Sequence, residues 1–292
     1  MLVWRKRERM IDNFAVFITS HESPTECKSA KSLRENGYTG KIYIVVDDLD
    51  SKLLAYDRIY NDDLCVFPKA YYVANLDIGM STQNPQLAAV LYARAAVEDF
   101  AKEFGLRYFC VMDDDLVGFR VRLPINNKLG TFRKFSMDKV FESYVDYLSN
   151  TDISCLSFAN DGSFIGGISA FDKVLERRSC HTVFIRDSHK SFDWSFAVNE
   201  DYISSLRMAH TGQVVFTMPF MQRTITGMGD RDVGMSDVYK TTSDFQRAFY
   251  ATIARPDVCT PKYYNNHFVI GVNKKGAYPK ILSDYYKKGE KR

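Results

Sequence analysis

No pair of cysteines stands in a CxxC arrangement. The six cysteines, at 27, 65, 110, 155, 180 and 259, are scattered, and several lie in apolar runs. That excludes a zinc ribbon and a disulfide scaffold, and it predicts buried, reduced thiols. No stretch approaches the ~18 apolar residues of a membrane span, and "MLVWRKRERM" lacks the apolar run of a signal peptide. The expectation is a cytoplasmic protein with no membrane partner. No GxGxxG follows the first predicted strand, and no GxxxxGK[ST] occurs anywhere. A dinucleotide enzyme and a P-loop NTPase are therefore disfavoured, and any bound phosphate would have to rely on a metal ion. Nor is there a large excess of one charge: 39 Lys and Arg against 36 Asp and Glu leave +3. That neither predicts nor excludes a nucleic-acid partner.

What is present suits one large α/β domain. The chain has 292 residues, 46% hydrophobic and 26% charged, with no internal repeat and no linker-like tract. Aromatic residues reach 14%, with 18 Tyr and 21 Phe. They suit a large core, or a surface that stacks on sugars or bases. Positive charge gathers at the ends, in "WRKRERM" and in the last twenty residues.

The first part alternates strands and helices. "NFAVFITS" reads as a strand. Ser23, Pro24 and Glu26 form a capping box for a helix that Gly37 ends. "KIYIVVDD" is a β-branched strand ending in Asp47 and Asp48, and "LCVFP" is a short third strand. "NPQLAAVLYARAAVEDFAKEFG" is a long helix with Asn84 as cap, Pro85 as first residue and Gly105 as stop. "YFCVM" is the next strand. This order predicts a parallel, doubly wound sheet, whose ligands bind beyond the carboxyl ends of the strands. Ser20, His21, Asp47, Asp48 and the triplet Asp113, Asp114, Asp115 all fall there.

Asp suits turns, so the triplet alone is compatible with a solvated bend. Three adjacent carboxylates repel one another, however, and a cation relieves that. Asp113 and Asp115 can point to one side and share a hard divalent ion such as Mg²⁺ or Mn²⁺. The convergence of several polar strand ends favours the metal reading.

The second part is less regular. "SMDKVFESYVDYLSN" reads as a helix capped by Ser136, and "DISCLSFA" and "HTVFIRD" read as strands. Gly166 and Gly167 allow either a tight turn or close approach to a ligand. Asn199 is a candidate cap for a helix whose first turn carries Glu200 and Asp201, where acids also suit the helix dipole. "ITGMGDRDVGMSD" reads as a lid. His267 precedes a strand-like run.

Taken together, "VVDD", "ARAAVEDFAKEFGLRYFCVMDDDL", "IGGISAF" and "NEDY" resemble the nucleotide-sugar glycosyltransferases of the GT-A fold. The resemblance covers most of residues 12–220, and within the fold it is greatest to the phage TET/JBP-associated glycosyltransferases. One departure is Ala95 and Ala96 after Arg94, where many relatives carry Asn. The resemblance implies a mixed, mainly parallel sheet flanked by helices. It would form one domain over 12–272, with a basic extension over 273–292. It also implies a UDP-sugar donor, and 5-hydroxymethylcytosine in phage DNA as acceptor, within the host cytoplasm. Asp113 and Asp115 would hold Mn²⁺ or Mg²⁺, with His267 a candidate third ligand. Thr19, Ser20, Asp47, Arg94, Asp114, Gly166 and Gly167 would line the donor site, Arg94 reaching the donor or only pairing Asp114. Asp201, with Glu200 second, would be the base that takes the acceptor proton. Tyr71, Tyr72, Tyr263 and Tyr264 are candidates to stack on bases. Competing readings are a glycan or protein acceptor, a metal-dependent nucleotidyltransferase, and a non-catalytic binding module.

Overall fold

The computed structural model describes residues 13–79, 89–175, 177–225 and 242–279. The predicted cap at Asn84 and Pro85, all but the first residue of the predicted lid over 225–237, and most of the basic ends lie outside them. Among the described residues nine strands form one sheet, in the order β3-β2-β1-β4-β8-β7-β9-β5-β6. They are β1 (Phe14–Thr19), β2 (Lys41–Asp47), β3 (Leu64–Phe67), β4 (Tyr108–Asp113), β5 (Leu116–Ile125), β6 (Lys128–Phe132), β7 (Ile153–Ala159), β8 (Val183–Asp187) and β9 (Val214–Ile225). The first four are mutually parallel, as their continuous apolar sequences predict. The rest make a mixed half, because β8 runs antiparallel to both β4 and β7.

Alternation across the strands builds two core layers. Val16, Ile18, Ile44, Val46, Cys110 and Met112 face α1 (Lys28–Glu35) and α5 (Met137–Ser149), where Leu33, Phe141 and Leu148 cover them. Ala15, Phe17, Val45, Phe109 and Val111 face α4 (Ala89–Glu103). Ala95 and Ala96 belong to that second layer, so small residues there let the helix lie close to the sheet. All six cysteines are free, and only Cys27 is not buried.

Helix punctuation agrees in part. Gly37 and Gly105 take the positive φ that ends a helix, 77° and 68°. The Ser136 side chain caps α5 through Lys139 N–H. The capping box at Ser23 is not formed. α1 starts at Lys28, because Ser23 N–H donates to the Tyr56 hydroxyl and the Tyr60 hydroxyl donates to Pro24 C=O. These tyrosines of α2 (Leu53–Tyr60) hold the segment in a turn. Asn199 is no side-chain cap either. It is left-handed, with φ 56°, and its amide donates to Arg247 C=O at 3.0 Å. Among the described residues no helix is long and apolar enough to cross a membrane.

Candidate active site

Parallel pairing brings the carboxyl ends of β1, β2 and β4 to one edge of the sheet. Thr19 lies in register with Asp113. Antiparallel β8 begins at this same edge, so the residues just before it, His181 and Thr182, arrive there as well. β9 brings Arg223 to the same edge, and β5 starts there, three residues past Asp113. α7 (Glu200–His210) points its first turn at this edge.

Ser29, fully buried in α1, fixes the turn that carries the aspartates. Its hydroxyl donates to Asp113 C=O at 2.5 Å and accepts Leu116 N–H at 2.9 Å, while its own N–H donates to Asp114 C=O. Ser20 then orients Asp114, donating to its carboxylate at 2.6 Å from a hydroxyl shared with Tyr56 at 2.7 Å. Asp47 is buried beside Lys69 Nζ at 3.4 Å, and it accepts Leu49 N–H. His21 lies 3.2 Å from Asp50. That hydrogen bond, with the surrounding carboxylates, outweighs burial and raises the imidazole pKa.

Arg94 does not pair with Asp114. It sits on α4 at 3% exposure, under the ring of Phe184. One nitrogen reaches Asp113 at 2.8 Å and another reaches Glu200 at 2.5 Å. Burial opposes its charge, but Asp113 and Glu200 outweigh that and hold it protonated. Burial also dominates at Glu200, pushing its carboxyl up to about 7 against the pull of Arg94.

Asp201, the next residue, is surrounded differently. Its Oδ2 lies 3.0 Å from His181 Nδ1, and its Oδ1 accepts Tyr202 N–H. Burial would raise its pKa, but His181 and Arg94 more than offset this and hold it below the usual carboxylate range. Asp201, His181 and His267 share the wall of a cleft of about 480 Å³. His267 is exposed at the start of β11 (His267–Val272), which pairs with β10 (Cys259–Tyr264). Among the described residues no three His, Cys, Asp or Glu side chains group to hold a metal ion.

Gly166 and Gly167 sit between a short 3-10 turn, Asp161–Phe164, and α6 (Ile168–Leu175), with φ 103° and 68°. Those angles require glycine whatever lies nearby. Sequence reading missed Ser29, Lys69, His181 and Arg223. Arg223 is buried, donates to the Thr182 hydroxyl at 2.7 Å, and feels the charges of Asp113 and Asp115. An isolated charged residue inside an apolar strand was the available signal for Arg223. Nothing local marked the other three.

The edge gathers several carboxylates with two buried arginines among them. Hard carboxylate oxygens suit a divalent ion, and Asp201, held ionised in a cleft, is available to accept a proton. The sequence matches the family model of TET-associated glycosyltransferases over residues 14–229. No curated protein matches it significantly. Matches among solved structures include a mycobacterial protein at 7% identity and TM-score 0.46, covering 93% of this chain and 88% of that one. Glucosyl-3-phosphoglycerate synthase from Mycobacterium tuberculosis matches at 8% identity and TM-score 0.41, covering 90% of this chain and 91% of that one. The same synthase in complex with UDP matches at 9% and 0.43, covering 90% of each. The chain belongs to the TET-associated glycosyltransferase family, and it is a glycosyltransferase built on a mixed sheet flanked by helices.

Proposed function

We propose that this enzyme transfers a sugar from a UDP-sugar to the hydroxyl of 5-hydroxymethylcytosine in phage DNA, with Mn²⁺ or Mg²⁺ as cofactor. The observation that carries the reading is the meeting of Asp113, Asp114 and Asp201 at one sheet edge, supplied by β4 and α7. Family membership supports the DNA acceptor.

The donor set fits a divalent ion. Mg²⁺ commonly takes one or two carboxylates and completes its shell with substrate phosphate oxygens. Asp113 and Asp115 are those carboxylates in this reading; His267, expected as a third ligand, lines the cleft of Asp201 and does not group with them among the described residues. The ion would offset the charge that grows on the UDP leaving group. Thr19, Ser20, Asp47 and Asp114 line the donor side, with Lys69 keeping Asp47 in place and Ser20 aiming Asp114. Gly166 and Gly167 offer backbone on the far side. Arg94 is a positioning residue in this scheme: both ends of its guanidinium are engaged by protein carboxylates.

Asp201 takes the proton from the acceptor hydroxyl as that oxygen attacks the anomeric carbon and the bond to UDP breaks. His181 keeps the carboxylate ionised and aimed. Glu200, buried against Arg94, is poorly placed for this role. Direct attack inverts the anomeric centre.

The test is incubation of the protein, Mn²⁺ or Mg²⁺ and a panel of UDP-sugars with DNA carrying 5-hydroxymethylcytosine, read by nucleoside mass. A gain of one sugar, lost in Asp113→Asn, is expected. UDP release without a mass gain would remove the DNA acceptor, and no donor consumption would remove the UDP-sugar. Retention of configuration would remove Asp201 as the direct base.

A further inference from the structure

The segment between Asp115 and Asp138 contains no acidic residue and five cations, Arg120, Arg122, Lys128, Arg133 and Lys134. It folds as the β5–β6 hairpin, turned by Asn126 and Asn127 at φ 49° and 59°. β9 pairs with β5 only as far as Val121, whereas β6 pairs with β5 from Val121 to Ile125. Beyond Val121 the hairpin therefore continues as a two-stranded arm.

Arg120 and Arg122 alternate with Phe119 and Val121, which belong to the core, so the two arginines share the opposite face. With Thr131, Phe132, Arg133 and Lys134 they line a hollow of about 630 Å³. Arg122 is held there by a hydrogen bond to the Thr131 hydroxyl, and its guanidinium lies 5.1 Å from the Phe164 ring centroid. Among the described residues no carboxylate pairs with Arg120, Arg122, Arg133 or Lys134. Burial and the neighbouring Arg120 charge both lower the Arg122 pKa, so an anion there would be stabilising.

We propose that the β5–β6 arm is the surface that grips the phosphate backbone of duplex DNA and delivers it to the aspartate edge. This rests on the DNA-acceptor reading given above. Dimensions agree. At ~3.3 Å per strand residue, Arg120 stands roughly 17 Å along β5 from Asp115. That is about five base pairs at 3.4 Å each, so phosphates a few steps from the target base meet the cations. A two-stranded ribbon also fits the major groove, where a 5-hydroxymethyl group projects.

The experiment compares the full-length protein with a variant carrying Arg120→Gln, Arg122→Gln, Arg133→Gln and Lys134→Gln. A second variant carries only Arg133→Gln and Lys134→Gln, both at exposed positions. Binding of an unmodified 20-base-pair duplex is measured by fluorescence anisotropy at several salt concentrations, beside UDP binding as a check on the fold. The expected result is at least tenfold weaker duplex binding at 0.1 M salt for the quadruple variant. Its log–log salt slope should fall by about 2–4, at ~0.9 per lost phosphate contact, with UDP affinity unchanged. The double variant should lose about half as much slope.

Unchanged duplex affinity and slope in both variants would overturn the proposal, and so would binding to heparin but not to the duplex. Sugar transfer to hydroxymethylated DNA on the wild-type protein is scored separately. Ribbon-dependent duplex binding without transfer would sink the acceptor reading and leave the arm standing. Transfer that survives loss of all four cations at unchanged KM for DNA would do the reverse.

Discussion

Glu200 and Asp201 are neighbours in the first turn of one helix, and their surroundings push them in opposite directions. Glu200 turns inward onto Arg94 and is driven up to about 7 by burial. Asp201 turns toward the cleft, pairs with His181 and is held below its ordinary value. Two adjacent carboxyls thus become a structural clasp and a candidate base. The difference shows that the sequence "NED" does not say which acid is chemical. The side of the helix and the partner supplied by another element decide it.

The harshest way to break this division is Arg94→Met. It leaves Glu200 and Asp113 facing an apolar group, and removing one partner of a buried pair costs about 3–5 kcal/mol. The variant should lose stability on that scale in urea denaturation, and transfer activity should fall with it. Next in size, Asp201→Asn should lower kcat by roughly 100- to 10,000-fold, as expected for loss of a general base. Its urea midpoint should move far less than that of Arg94→Met. Equal losses of stability in the two would erase the distinction.

Glu200 sharpens the contrast through pH. Its carboxyl is raised from 4.5 to about 7 in the folded protein. Between those values the folded state holds more protons than the unfolded one. The stabilising contribution is therefore complete below about pH 4.5 and is lost as pH rises through 7. Its size is at most about 3 kcal/mol over that window. Glu200→Gln should flatten stability against pH there, and a parallel profile would contradict the inward burial of Glu200.

His181→Gln is the gentler test of the cleft side. It should reduce kcat by about tenfold, and move the acidic limb of the kcat–pH profile upward as Asp201 loses its partner. Smallest is His21→Gln. The raised His21 pKa gives a contribution present below the unfolded value of 6.5 and lost as pH rises past it. Replacing it should slightly reduce Tm at pH 6 and change little at pH 9.

The parallel half of the fold was legible because its strands are long apolar runs that stop at charge. Alternation alone then predicts two covered faces, and it places Asp47 and the triplet at the ligand edge. In the mixed half the elements were legible, Met137–Ser149, Ile153–Ala159 and Val183–Asp187 among them, but their arrangement was not. Strand direction has no local signature, so His181 read as the start of a strand, with no sign that an antiparallel β8 returns it beside Asp201. Ser29 and Arg94 act across long stretches of chain, and no periodicity reports such partners. The box at Ser23 failed for the same reason: tyrosines from α2 outcompete a local cap.

The clasp also has an optical consequence. Trp194 is buried with its indole N–H 3.3 Å from Glu98, and the Arg94 guanidinium lies 5.9 Å from its ring. The chain has two tryptophans, the other being Trp4. Trp4→Phe would leave a single emitter beside the cation that joins β4 to α7. Its emission wavelength then becomes a label-free meter of the active site, readable during donor titration, Mn²⁺ quenching or refolding.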